Sequence, residues 1–271
     1  MHDLELAAFF ERADEVLATD PAWPQAHAAL LSALELGRVR AAQRGDDGVW
    51  RATLWVKRAI LLGFRRTELS AIDATPFPFF DKTAYPPRTF TLTDRIRLVP
   101  GGSAVRRGAF VAPGVVVMPP AYINVGAWVG AGTMVDSHAL VGSCAQIGAN
   151  VHLSASAQIG GVLEPAHKSP VVIEDGAFVG ALCGVFEGFI VRERAVLAAG
   201  VVLTAATIVH DLVQQRTWRG EVPAGAVVIP GSRKAVGPYA EEHGLHVTTP
   251  LIVKYRDERT DAATALEAAL R

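Results

Sequence analysis

From residue 111 to residue 159 an aliphatic side chain returns at every sixth position without a miss: Val111, Val117, Ile123, Val129, Val135, Val141, Ile147, Leu153 and Ile159. Four positions after each of the first eight lies a small or compact residue, Val115, Ala121, Ala127, Thr133, Ala139, Ala145, Val151 and Ala157. The pattern breaks, then resumes at Ile173, Val179, Val185, Val191, Leu197, Leu203 and Val209, with Phe189 as the one bulky residue of the second column. A period of six fits neither the 3.6 of a helix nor the 2 of a sustained amphipathic strand, so it predicts a repeat architecture. Within each hexad the two inward positions lie two apart, which gives a short in-and-out strand followed by a turn. Three hexads close one triangular coil of 18 residues, and stacked coils bury a continuous aliphatic core that no single coil could bury alone. The expectation is a parallel β-helix.

Two interruptions matter, because loops on a rigid repeat are where sites are built. The first is GVLEPAHKSP, residues 161–170; the step from Ile159 to Ile173 leaves either two or eight residues extra. The second is HDLVQQRTWRGEVPAG, residues 210–225, ahead of a last coil-like strand AVVIPG. Beyond it, TPLIVKYRDE predicts a final strand and TDAATALEAALR a final helix.

Ahead of the repeat the periodicity is helical. Leu6, Phe9, Phe10, Ala13, Val16 and Leu17 predict a first helix ended by Asp20 and Pro21, and a second runs from about Ala26 to Leu36 with Gly37 at its C-terminal cap. VRAAQ and VWRA flank an RGDDG turn and predict a hairpin, after which LWVKRAILLGF reads as another helix. The Pro- and Phe-rich run TPFPFFDKTAYPP, residues 75–87, predicts a linker or docking arm without regular structure. The chain thus divides into an α-rich N-terminal domain and linker (1–88), a mainly β coil domain (89–231) and a short C-terminal strand and helix extension (232–271).

Composition narrows the function. Half of the 271 residues are hydrophobic but only 7% are aromatic, which suits a core of small aliphatic side chains. A net charge of −1 gives no footprint for nucleic acid or an anionic membrane. Residues 108–135 carry no charge, yet Pro113, Pro119, Pro120 and five glycines interrupt them, which argues against a membrane span. Cys144 and Cys183 are the two cysteines, and Cys183 falls in the inward column, so buried thiols and a reducing cytoplasm are expected. Outward-facing Val116, Met118, Trp128 and Met134 stand among few charges, and such apolar faces predict a partner.

The runs RRGAFVAPGVVVMPPAYINVGAWV, GTMVD, VGSCAQIGANVHLSASAQIGGVLEP and VPAGAVV resemble the tetrahydrodipicolinate N-succinyltransferase family, within the hexapeptide-repeat acyltransferases. The likeness extends into GRVRAAQRGDDGVWRATLWVKRAILLGF and to LIVKY, and so covers most of the chain. It implies a left-handed coil, a trimer, and transfer of the acyl group of succinyl-CoA to the amine of an acyclic 2-amino-6-oxopimelate in lysine and diaminopimelate synthesis. No bound cofactor or metal is implied; the acyl-CoA is a co-substrate. Such a reaction needs a base for the amine proton and a thioester held against the amine.

By this resemblance Asp136 of GTMVD matches the catalytic aspartate, Arg97 of RIRLVP the arginine that contacts the amino dicarboxylate, and Glu164 of GVLEP a site glutamate. Asp136 follows inward Val135 and so points outward; an acidic residue there can equally be a solvated one. His152 belongs to the same outward strand face about 4.8 Å up, as a substrate-binding candidate or a surface histidine. Arg233 and Lys234 are candidates for the coenzyme A phosphates, or simply solvated.

The departures are as pointed. Where the family reads approximately GARSEVVEG, this chain reads GALCGVFEG, so Leu182 replaces an arginine and Gly184 a site glutamate. Gly184 precedes inward Val185 and should face outward, where an added side chain leaves the core column undisturbed. Glu187 matches a later glutamate, and His138 replaces a tryptophan. These changes leave open a relative using acetyl-CoA or another acyl donor on a related amino dicarboxylate, or a non-catalytic trimeric scaffold. A zinc site from His138, His152, His167 and His210 is disfavoured, because their spacings are not multiples of one coil.

Overall fold

The computed structural model describes residues 2–72 and 78–257. Its centre is a triangular prism of two-residue strands running in parallel ladders on three faces. The first face stacks Arg97–Leu98, Val116–Val117, Met134–Val135, His152–Leu153, Phe178–Val179 and Val196–Leu197, then takes up the start of the long strand Ala226–Lys234. The second stacks Ala104–Val105, Tyr122–Ile123, Leu140–Val141, Gln158–Ile159, Gly184–Val185 and Val202–Leu203. The third stacks Phe110–Val111, Trp128–Val129, Gln146–Ile147, Val172–Ile173, Ile190–Val191 and Glu221–Val222.

Both hexad columns point inward. Each aliphatic residue of the first and each compact residue of the second from Val115 to Ala157 lies in one core, including Phe189 and Cys183. Thr133, the polar member, keeps its hydroxyl satisfied: it donates to the Gly148 carbonyl at 2.9 Å and accepts from the Val151 N–H at 3.0 Å.

Ladder register settles the first interruption. Trp128 pairs with Gln146, but Gln146 pairs with Val172, so eight residues are extra and residues 161–170 bulge out between the second and third faces. The second interruption is only partly a loop. Ile208–Asp211 and Arg216–Arg219 pair as an antiparallel hairpin, and the place on the third face that the hexad count assigns to Val209 is filled by Glu221–Val222. Val209 is nonetheless fully buried. The chain re-enters the coil inside the segment expected to be irregular. Ala226–Lys234 then pairs antiparallel with His246–Tyr255. The predicted C-terminal helix lies outside the described residues.

The N-terminal domain forms a second core. The expected first helix is two, α1 (Asp3–Phe10) and α2 (Asp14–Thr19). Tertiary contact overrides the local pattern, because Arg58 donates to the Arg12 carbonyl at 3.0 Å and to Asp14 Oδ1 at 2.6 Å across the break. α3 spans Trp23–Glu35, the hairpin pairs Ala42–Arg44 with Trp50–Ala52, and α4 spans Leu54–Arg66. From residue 78 onward the Pro- and Phe-rich arm is more ordered than its composition suggests. Phe79–Lys82 pairs with Leu69–Ile72, and fully buried Tyr85 donates to the Ile60 carbonyl at 2.6 Å while meeting His27 at 2.9 Å.

This domain clasps the prism along the edge between the second and third faces, where Val125 and Cys144 join its core. Buried Lys57 on α4 donates to the Lys168 carbonyl and so holds the bulged loop. Over the third face, Phe110 and Trp128 stack at 3.9 Å and the Arg40 guanidinium lies 4.1 Å from the Trp128 ring centre. Trp128 is therefore covered within its own chain and is no part of a free apolar face. The N-terminal domain covers what the hexad pattern alone would leave bare. No helix among the described residues is long and apolar enough to cross a membrane.

Candidate active site

The edge between the first and second faces gathers most of the chemistry. Its turns stack in register: the Asp136 N–H donates to the Leu153 carbonyl at 2.9 Å, the Ser154 N–H to Val179 at 2.9 Å and the Gly180 N–H to Leu197 at 2.8 Å. Two residues further round each turn, the Ser156 N–H donates to the Ser137 carbonyl at 2.8 Å and the Leu182 N–H to the Ala155 carbonyl at 3.0 Å. Asp136 and Leu182, far apart in sequence, thus stand on one edge two coils apart, about 10 Å by strand spacing. His138, Ser156 and Leu182 each hold φ near +60° at the bend, which turns their side chains out of the prism. Gln158 braces the bend from the second face, donating to the His138 carbonyl at 3.0 Å and the Ser156 carbonyl at 3.2 Å.

Asp136 points outward and is half-buried. One carboxylate oxygen accepts the Ser137 N–H at 2.7 Å, which fixes the side chain along the edge. Arg97 stands on the first face two ladder steps below Met134, exposed, in register with Val116. His152 shares that face, one step above Met134, but it is not a surface histidine. Its ring packs 4.8 Å from the Phe178 ring, and only 4% of the residue is exposed. Arg233 and Lys234 end the strand Ala226–Lys234, whose Val227 and Val228 occupy the first face before the strand runs on past the Asp136 edge. Both are exposed on the overhang, which places cations beyond the top of that edge.

Glu164 is not brought to this edge. The bulged loop leaves the opposite margin of the second face and leans on α4, where Glu164 lies 4.0 Å from Arg65. Within one chain the whole second face separates it from Asp136. Glu187 likewise sits at that far margin, where its carboxylate accepts the Ala205 N–H at 3.1 Å.

Gly184 needs a correction. It does face outward, but it is buried, because the Phe186 ring folds back over it. A Cβ added at Gly184 would meet Phe186 Cε2 at 2.5 Å, and one added at Gly160 in the coil below would meet Phe186 Cδ1 at 2.6 Å. The ring fills the space beside the edge where a longer side chain at residue 184 would stand. Phe186 escaped the sequence reading because hexad spacing marks it only as a turn residue; the run GVFEG was the signal, a glycine gained beside an aromatic. Leu182 next to it is 68% exposed. Cys183 between them points into the core, and burial raises its thiol, so it is no nucleophile.

Comparison with known proteins adds an independent line. Residues 5–65 match the model of the tetrahydrodipicolinate N-succinyltransferase N-terminal domain, and residues 170–205 match that of the hexapeptide repeat of succinyl-transferase. A 2,3,4,5-tetrahydropyridine-2,6-dicarboxylate N-succinyltransferase of Nitrobacter winogradskyi is 43% identical over 250 residues, covering 89% of this chain and 87% of its own. That of Bordetella parapertussis is 44% identical over 248 residues, with the same coverage of both. Among solved structures, a Campylobacter jejuni protein described as a 2,3,4,5-tetrahydropyridine-2-carboxylate N-succinyltransferase superposes with a TM-score of 0.53 at 17% identity, over 89% of this chain and 64% of that one. At that identity the superposition speaks for the fold.

The ring over Gly184 leads to a stability prediction. Gly184→Glu must displace Phe186, so the substitution should cost about 1–3 kcal/mol, read as a lower midpoint in thermal or denaturant unfolding. Adding Phe186→Val to the same chain should recover most of the loss, because the two sites are in contact and couple. An unchanged midpoint for Gly184→Glu alone would mean that the ring swings aside freely.

Proposed function

The chain belongs to the tetrahydrodipicolinate N-succinyltransferase family, and we propose that it is an acyl-CoA-dependent N-acyltransferase whose first-choice reaction moves succinyl from succinyl-CoA to the amine of open-chain tetrahydrodipicolinate. The observation that carries this reading is the placement of Asp136. The residue at the family's aspartate position stands outward on the edge of the prism, anchored by one backbone N–H and open to a ligand. In the proposed step the Asp136 carboxylate takes a proton from the ammonium. The freed amine attacks the thioester carbonyl, a C–N bond forms, the C–S bond breaks, and coenzyme A leaves as a thiol after taking a proton. Holding amine and thioester together supplies much of the rate, since neither a nucleophilic side chain nor a metal is needed.

The other candidates take roles by position. Arg97 is a forked donor on the face that leads to the edge, suited to a substrate carboxylate. Arg233 and Lys234 on the overhang suit the coenzyme A phosphates. His152, closed in by Phe178, supports the strand under the site more than it meets substrate. Glu164 reaches an Asp136 edge only if another subunit supplies it, which agrees with a homotrimer whose sites lie between chains. The first face, where Val116, Met134, Phe178 and Val196 remain half-exposed, is the contact surface we assign. Two reduced, buried cysteines are in keeping with work in the cytoplasm, where acyl-CoA is at hand.

Phe186 over Gly184, beside exposed Leu182, favours one alternative: acetyl-CoA or another donor, or a related amino dicarboxylate. An apolar wall has replaced charge beside the edge, and an apolar wall selects against a charged group. The deciding experiment compares thiol release from succinyl-CoA and acetyl-CoA with the same amine. A higher kcat/KM for succinyl-CoA supports the first reading, a higher value for acetyl-CoA the second, and no turnover with either rejects acyl transfer.

Further outcomes follow from Asp136 and the first face. Asp136→Asn should lower kcat by about 10²-fold or more while leaving the unfolding midpoint near that of the wild type, because the side chain lies outside the core; near-normal turnover would remove it as the base. Light scattering at micromolar concentration should give the mass of three chains, and a monomeric mass would reject sites between subunits.

A further inference from the structure

A cavity of about 510 Å³ opens where the N-terminal hairpin overhangs the third face and the edge between the third and first faces. It shares no residue with the Asp136 edge. Its volume falls in the range of small-molecule sites, roughly 300–1,000 Å³.

Arg40 is the unusual group in its wall. The guanidinium is held between two indoles, 4.1 Å from the centre of Trp128 and 5.0 Å from that of Trp50. Its Nε donates to Gln146 Oε1 at 2.5 Å, and Gln146 is itself pinned by donating to the Cys144 carbonyl at 2.7 Å. Among the described residues Arg40 has no carboxylate partner at ion-pairing distance, and burial draws it down to about 10, with Asp175 the one charge opposing that shift. A partly buried cation whose outer fork has no carboxylate is stabilised when an anion completes it. Arg44 lines the same cavity with its side chain half-exposed; its Nε donates to the Gly48 carbonyl at 3.2 Å and lies 3.9 Å from Glu174, which leaves its outer fork toward the cavity.

Three carboxylates line the cavity as well. Glu174 is already engaged, accepting from Trp50 Nε1 at 2.8 Å, from Arg192 at 3.1 Å and from the Glu193 N–H at 3.2 Å. Asp175 spends one oxygen on the Ala149 N–H at 2.8 Å and is otherwise exposed, and the Glu193 side chain is exposed as well. The lining therefore brings guanidinium donors, carboxylate acceptors and indole surface into one cavity. A plain dicarboxylate would satisfy Arg40 and Arg44 but drive its second charge against Asp175 and Glu193. A diamine would have the reverse conflict.

We propose that this cavity is a second ligand site, separate from the transfer site, that binds a free α-amino acid. The ligand's carboxylate meets Arg40 and Arg44, its ammonium meets Asp175 and Glu193, and its side chain lies along Trp50. Guanidinium and carboxylate form paired charge-assisted hydrogen bonds, and the partly buried fork of Arg40 supplies the first of them.

The indoles around Arg40 supply a readout that does not depend on activity. The intact protein is titrated with L-norleucine, hexanoate and pentylamine, which share an alkyl chain but carry both charges, the carboxylate alone and the ammonium alone. Norleucine should change tryptophan emission saturably in the millimolar range or below, with hexanoate and pentylamine weaker by about tenfold or more, the usual scale for losing a charge-assisted contact. Arg44→Gln and Glu193→Gln, both at exposed side chains, should each weaken norleucine by about tenfold with an unchanged unfolding midpoint. Arg40→Lys should weaken it too, because an ammonium keeps the charge but not the fork. The proposal is overturned if norleucine gives no saturable change, if hexanoate binds as tightly as norleucine, or if both exposed variants bind like wild type. Displacement of norleucine by saturating coenzyme A would also overturn it, since the cavity would then be part of the transfer site.

Discussion

The stacking of one coil on the next, backbone to backbone, is the constraint on which this molecule depends. At Gly130 an added Cβ would lie 2.5 Å from the Gly148 carbonyl carbon one coil up, so successive turns already touch. At that distance every peptide group between coils must pair with the coil above or below, and each inward side chain must fit a fixed slot. Val, Ile, Leu and Ala fill those slots because a triangular core three short strands wide has no room for much else. Burying one such side chain is worth about 1.5–3 kcal/mol, too little to hold a single ordered coil of 18 residues against its loss of chain entropy. Stability comes from the stack, and the stack tolerates changes only where a chain can leave and return without disturbing register.

Those places are the edges. The bulged loop at residues 161–170 leaves at one edge and rejoins with Val172 in register above Gln146. The hairpin Ile208–Arg219 does the same before Glu221–Val222 resumes the third face. The last strand exits along the first face and runs on as an overhang. Each excursion is then put to use: the loop is held by Lys57, and the overhang carries Arg233 and Lys234 past the Asp136 edge. The N-terminal domain rests on a second edge and covers Phe110 and Trp128, which makes it part of the wall of a cavity as well as a clasp.

The same geometry explains how a site can change without cost to the fold. Leu182, Gly184 and Phe186 all lie outside the aliphatic columns, so none of them is constrained by the core. A glycine and an aromatic at these positions set a ring against the outer face while the ladder through Val185 stays intact. Specificity and stability are written on different sides of the same two-residue strand.

The hexad period was enough to announce the coil, its inward columns, the burial of Cys183 and Phe189, and the outward aim of Asp136, because in a two-residue strand the direction of every side chain follows from its place in the period. The helices α3 and α4 and the hairpin between them were equally legible in local pattern and turn chemistry, whereas the pairing of Phe79–Lys82 with Leu69–Ile72 was not. What the period could not carry was anything decided between segments distant in the chain. It could not say that eight residues rather than two bulge at 161–170, since both counts restore the column and the ladder partner of Gln146 makes the choice. It marked Trp128 as bare, because the Arg40 guanidinium that lies over its ring belongs to another domain. It gave Gly184 open space and His152 a surface, because the rings of Phe186 and Phe178 that close over them are set by rotamer and neighbouring coil. Periodicity reports which way a side chain leaves the backbone; what it meets there is a matter of packing between parts that the sequence does not place side by side.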